Sequence, residues 1–155
     1  MQVDQIVIGT QELSALLPHS GSMCLLDSIH SWDDKLISCW ATSHRSVDNP
    51  LREDNQLPVH AGIEYAAQAM AAHGALCDSK KNNQGRITEE PKLGYLVVLT
   101  GVEWFCSRLD DLLGELLVKA ERLMVVDGGF SYQFNVYHQD QLLLQGRAVV
   151  ALQNE

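Results

Sequence analysis

Leu57-Pro58-Val59-His60-Ala61-Gly62-Ile63-Glu64-Tyr65-Ala66-Ala67-Gln68-Ala69-Met70-Ala71-Ala72-His73-Gly74-Ala75-Leu76-Cys77 reads as one long helix, from 58 to about 76. Its alanines give it a narrow cross-section, and Glu64 places a carboxylate in an otherwise apolar stretch. Side chains four apart stack on a helix, so His60, Glu64 and Gln68 share one stripe flanked by Ala67 and Ala71. A polar stripe there has two readings. Either the three groups satisfy one another inside a core, or they line a cleft where an acid, a base and an orienting amide are useful.

Strand patterns surround this helix. On its N-terminal side, Thr10 is expected to cap a short helix that runs to Leu17 and stops at Pro18. Met23 to Ile29 and Lys35 to Ser43 follow as strands, with turn chemistry at Trp32-Asp33-Asp34. After the helix, Asp78 to Arg86 is a polar surface connection without periodicity. Four more strands are predicted: Leu93 to Cys106, Gly114 to Val126, Phe130 to His138 and Leu142 to Leu152. Asp127-Gly128-Gly129 and His138-Gln139-Asp140-Gln141 read as hairpin turns between the last three. Phe130, Tyr132, Phe134 and Val136 alternate with more polar residues, so one face of that strand packs. A curved antiparallel sheet can wrap closely around a thin helix, which makes the fold class α+β.

At 155 residues and 46% hydrophobic, the chain suits a single domain, 1–155, with one core. Eleven Lys and Arg against 20 Asp and Glu give a formal charge of −9 without a basic run, which argues against a nucleic-acid partner. No apolar stretch is long enough to cross a bilayer and the amino terminus has no export signal, so a soluble, cytoplasmic protein is expected. Cys24, Cys39, Cys77 and Cys106 are scattered beside apolar neighbours and are expected as buried reduced thiols. His73 reads as a satisfied helix residue.

Three segments carry a family resemblance. Leu16-Leu17-Pro18-His19 with Cys24-Leu25-Leu26-Asp27-Ser28, then Leu57-Pro58 with Glu64-Tyr65-Ala66-Ala67-Gln68-Ala69, and then Gly101-Val102-Glu103-Trp104-Phe105 with Asp111 to Gly114, are similar in order to hotdog-fold 3-hydroxyacyl-[acyl-carrier-protein] dehydratases. The likeness is greatest to the divergent members found with aryl polyene and type II polyketide gene sets. It implies an antiparallel sheet around one central helix, and dehydration of a 3-hydroxyacyl thioester, on acyl carrier protein, to the trans-2-enoyl thioester.

Carried across, Glu64 takes the place of the family's helix carboxylate, Gln68 that of its neighbouring glutamine, and Val59 that of the glycine whose N–H binds the thioester oxygen. Glu64 would then be the acid, held by Gln68, with His60 as the base and His19 lining the substrate. No metal or organic cofactor is implied. The family's histidine-bearing loop is replaced here by Asn49 to Gln56, which contains no histidine. That departure keeps two alternatives open: a non-catalytic or co-catalytic subunit beside a related hotdog subunit, or a hotdog acyl thioesterase. A homodimer or heterodimer is expected, because edge strands of two subunits commonly pair in this fold and because Leu25 to Ile29 and Leu93 to Leu99 are apolar runs unsuited to a monomer surface.

Overall fold

The computed structural model describes residues 8–17, 23–81, 94–126 and 128–152. Helix α1, Thr10–Leu16, precedes strands β1, Ser28–Trp32, and β2, Leu36–Ala41. A 3-10 turn at Val59–Ala61 leads into the long helix α2, Gly62–Lys81. Strands β3, Gly94–Trp104, β4, Leu116–Val126, β5, Gly129–His138, and β6, Gln141–Leu152, follow among the described residues. All six strands form one antiparallel sheet in the order β1-β2-β4-β5-β6-β3. The concave face carries Ile37, Cys39, Leu116, Val118, Ala120, Tyr132, Phe134, Val136 and Leu144, all buried, with α2 lying across it. This is the hotdog arrangement.

The close approach of helix to sheet explains the composition of α2. A Cβ on Gly62 would meet Leu144 Cδ2 at 2.7 Å, so the helix enters where only hydrogen fits without a shift. Ala66, Ala69 and Ala72 are fully buried behind it. The partly exposed positions Ile63, Glu64, Ala67, Ala71, Gly74 and Ala75 fall along one flank at helical spacing.

Several expectations need correction. Gly9 rather than Thr10 caps α1, and the Thr10 hydroxyl instead donates to the Asp27 carbonyl at 2.8 Å. Asp78–Lys81 continues the helix, and the remainder of the expected polar connection lies outside the described residues. Leu25, Leu26 and Ile29 are buried in this chain's own core, so only the second apolar run reaches the surface. Of the four cysteines, all free, only Cys39 is fully buried, and burial pushes its thiol up to about 12.

The segment expected as a strand from Met23 instead runs free of the ladder through Leu26 and joins it at Asp27, whose N–H donates to the Trp40 carbonyl at 2.8 Å. Gln68 holds it: Oε1 accepts from Leu25 N–H at 2.9 Å and Nε2 donates to Met23 carbonyl at 2.6 Å. This amide is 1% exposed. Gln68→Leu should cost about 2–3 kcal/mol, because it leaves buried backbone groups unpaired, and urea unfolding would measure it.

Beneath the second half of α2, Arg122 of β4 donates to the hydroxyl of Tyr132 on β5 through Nε at 3.2 Å and Nη2 at 2.9 Å. Tyr132 in turn donates to His73 Nδ1 at 2.8 Å, and His73 Nε2–H donates to the Asp33 carbonyl at 2.8 Å. Asp33 also closes the β1–β2 turn, accepting from Lys35 and Leu36 N–H. Burial first, and then Arg122, lowers the His73 pKa from its usual 6.5. His44, also fully buried, is lowered mainly by burial. Both folded-state values therefore lie below those of the unfolded chain, which takes up protons first as pH falls. Stability is full above about pH 6.5 and declines below it toward the depressed folded values. Urea midpoints should fall between about pH 7.5 and about pH 5.5, and the fall should shrink in His73→Gln.

Candidate functional site

A backbone strap fixes the N-terminal end of α2. Leu57 N–H donates to Asp110 Oδ1 at 2.9 Å, Leu109 N–H donates to the Leu57 carbonyl at 2.8 Å, and Val59 N–H donates to the Ser107 carbonyl at 3.1 Å. Asp110 is itself clamped by Arg108 through Nε and Nη2. The Arg108 guanidinium holds the Asp110 carboxyl well below the usual carboxylate range, and the Leu57 N–H adds to this. The strap delivers the helix with its first N–H groups at a defined position, where a partial positive charge favours developing negative charge.

Glu64 stands in the first turn of α2, half-buried on the flank that the sheet leaves open. His60 takes a different direction. It lies in the 3-10 turn, where residues rotate by more than on an α-helix, and its side chain is 59% exposed with Nε2 3.9 Å from Glu53 Oε2. Gln68 points inward to Met23 and Leu25, as described above. The stripe read from the sequence is therefore split three ways, onto the surface, the flank and the core. Val59 is buried and its N–H is engaged by Ser107. His19 lies outside the described residues.

Two features escape the sequence reading. The first is a polar cluster on Tyr65, the residue after Glu64. Its hydroxyl donates to Ser43 Oγ at 2.7 Å and accepts from Asn49 Nδ2 at 3.0 Å, while Ser43 Oγ donates to the Leu25 carbonyl at 2.7 Å. Asn49 Nδ2 also donates to the Ser43 carbonyl, and Arg52 donates to the Ser46, Asn55 and Arg45 carbonyls. The loop from Asn49 to Gln56 is thus built on Tyr65 and Arg52. The second feature is His44, in the 3-10 turn Ser43–Arg45, fully buried with Nε2 2.9 Å from the Leu112 carbonyl. Only the pairing of Asn49 with the following Pro50 hinted at an ordered loop here, and nothing local marked His44.

Among the described residues, no group of three His, Cys, Asp or Glu side chains is placed to hold a metal ion, and no helix is long and apolar enough to cross a membrane.

The model of the ApeP-like family, described as ApeP dehydratase, matches residues 11–155. No curated protein sequence matches. Among solved structures, the dehydratase heterocomplex ApeI:P from Xenorhabdus doucetiae is similar at a TM-score of 0.76 and 22% identity, covering 92% of this chain and 91% of that one. A thioesterase from Haemophilus influenzae, HI1161, is similar at 0.63 and 14%, covering 97% and 94%. A mutant form of the thioesterase PA1618 from Pseudomonas aeruginosa is similar at 0.62 and 12%, covering 92% of each chain. At these identities the structures testify to a shared fold.

Proposed function

The chain belongs to the ApeP-like dehydratase family, and from that membership we propose that it eliminates water from a 3-hydroxyacyl thioester, carried on acyl carrier protein, to give the trans-2-enoyl thioester. The observation that carries the proposal is Glu64, half-buried in the first turn of a helix whose N-terminus is strapped in place. Elimination needs an acid for the departing hydroxyl, a base for the C2 proton and donors for charge developing on the thioester oxygen. Glu64 is the acid in this reading. The positive end of the α2 dipole at this turn stabilises the developing charge in this reading, since the Val59 N–H is spent on Ser107, that of Ala61 on Pro58 and that of Gly62 on His60 and Val59. An aryl polyene or related polyketide acyl chain is the substrate class that fits the family.

The protein works as a dimer in this proposal, with itself or with a related hotdog subunit. Strand β3 is a sheet edge, and Val98, Leu99, Trp104 and Phe105 on and just beyond it are exposed, Trp104 by 57% and Phe105 by 58%. Pairing would cover these apolar side chains and close the edge. The ApeI:P structure is a heterocomplex, which favours a second hotdog chain as partner.

Two other readings each have an observation behind them. The exposed position of His60 beside Glu53 favours a co-catalytic subunit, and the thioesterase neighbours favour thioester hydrolysis. Assay of the chain, alone and mixed with a second hotdog subunit, separates the three. Dehydration produces a conjugated enoyl thioester with no free thiol. Activity confined to the mixture indicates the co-catalytic subunit, and thiol release from a saturated acyl thioester, with no enoyl product, would sink the dehydratase reading. Light scattering that gives the mass of one chain at working concentration, alone and in the mixture, would remove the dimer.

A further inference from the structure

Among the described residues, one buried side-chain polar atom has no hydrogen-bond partner: Nδ1 of His44. Buried polar atoms are paired in nearly all cases, so an orphan calls for an explanation. The other ring nitrogen explains its chemical state. Nε2 lies 2.9 Å from the Leu112 carbonyl, which can only accept, so the proton sits on Nε2 and Nδ1 presents a bare lone pair. A neutral imidazole oriented by a carbonyl on one nitrogen and vacant on the other is built to take a proton.

The position of this ring is also relevant. Ser43, its neighbour in the chain, accepts from the hydroxyl of Tyr65, the residue after Glu64. Leu112 N–H donates to the Leu109 carbonyl, and Leu109 lies 3.9 Å from where a Cβ on Gly62 would sit, two residues before Glu64. His44 therefore belongs to the same end of α2 as the carboxylate, wedged between its own turn and the corner before β4. His60, the other histidine near this end, faces Glu53 on the surface.

We propose that His44 is the proton acceptor of the site, its Nδ1 taking the C2 proton of the thioester, an assignment that rests on the dehydratase reading. The C2–H bond breaks and its proton passes to Nδ1, while its electron pair becomes the C2=C3 double bond. The C3–O bond breaks in turn, and the hydroxyl leaves as water with the proton of Glu64. Solvent then returns a proton to the Glu64 carboxylate and removes one from the imidazolium. Nδ1 is closed to solvent in the free chain, so side chains over Nδ1 must move aside for substrate while the Leu112 carbonyl keeps its hold on Nε2. The groups that face the ring are Arg45 from its own turn, His138 from β5 and Asp27 ahead of β1; burial, Arg45 and His138 keep it neutral, against Asp27 and the Leu112 carbonyl.

His44→Gln tests this, because the glutamine amide can still donate to Leu112 but offers no basic nitrogen. In the dimer as purified, or mixed with its second subunit, with a 3-hydroxyacyl N-acetylcysteamine thioester as probe, kcat should fall by about two to four orders of magnitude with KM little changed. Exchange of the C2 protons of a saturated acyl N-acetylcysteamine thioester in D2O should fall equally in His44→Gln and persist in Glu64→Gln, which isolates the base from the acid. The wild-type kcat/KM should decline on the acid side, and that limb should be absent from the residual activity of the variant. A His44→Gln protein with wild-type kcat and exchange overturns the assignment and leaves the dehydratase reading intact. A wild type that dehydrates nothing, alone or mixed, overturns both. Should the variant not fold, 15N-histidine spectra of the wild type decide: a non-hydrolysable thioether analogue must shift the His44 Nδ1 resonance, and an unmoved resonance overturns the assignment.

Discussion

Glu64→Gln is expected to lower dehydration of a 3-hydroxyacyl thioester by about two to four orders of magnitude, with kcat and kcat/KM falling together. The substitution keeps the side-chain volume and removes the ability to deliver a proton to the leaving hydroxyl. Glu64 sits on the flank of α2 that the sheet leaves partly open, whereas the buried faces of the helix carry Tyr65, Ala66, Ala69, Met70 and His73. Packing should therefore survive, and the thermal unfolding midpoint and oligomer mass of the variant should match the wild type. Because the acid acts only as the C3–O bond breaks, substrate binding should be little changed. Full turnover in this variant would remove Glu64 from the chemistry.

Gly129→Ala should produce the largest loss of stability from a single added methyl group. A Cβ there would lie 2.0 Å from the Val150 carbonyl oxygen and 2.9 Å from Ala151 Cα. Both belong to the backbone of β6, whose ladder with β5 begins at Gly129 opposite Ala151. Neither atom can retreat without breaking that register, unlike the Leu144 methyl that faces Gly62, which can rotate away. The cost should reach about 3 kcal/mol or more, a fall in Tm of roughly 6–12 °C for a chain of this size. Gly74→Ala supplies the contrast. Nothing lies within 4 Å of the added atom, so the helix should gain about 0.5–1 kcal/mol. Equal Tm values for the two variants would show that the β5–β6 backbone yields more readily than its pairing indicates.

Much of the fold was legible because it is written in local patterns. The alanine-rich run announced α2, and the alternation of Tyr132, Phe134 and Val136 announced the buried face of β5. The turn residues at Gly128 and at Gln139–Asp140 placed both hairpins, and Gly128 and Gln139 adopt the positive φ that such turns require. The misreading of Met23 to Asp27 has an equally plain cause. Its apolar content is that of a strand, but the backbone of Met23 and Leu25 bonds to a glutamine side chain 45 and 43 residues away, and a neighbouring strand is reached only at Asp27, whose N–H donates to the Trp40 carbonyl.

The candidate site was legible only in part. Helical spacing placed His60, Glu64 and Gln68 on one stripe, and that geometry holds only while the helix is regular. The turn preceding α2 is 3-10, which swings His60 toward Glu53, and Gln68 is drawn inward by Met23 and Leu25. Residue type and spacing thus determined which element carries the carboxylate and which strands enclose it, because periodicity is a property of neighbours in the chain. The direction of each polar side chain was decided by tertiary structure, because hydrogen-bond partners are neighbours in space. His44 shows this most directly: one nitrogen meets a carbonyl 68 residues away and the other meets nothing, and neither fact is present in the letters around it.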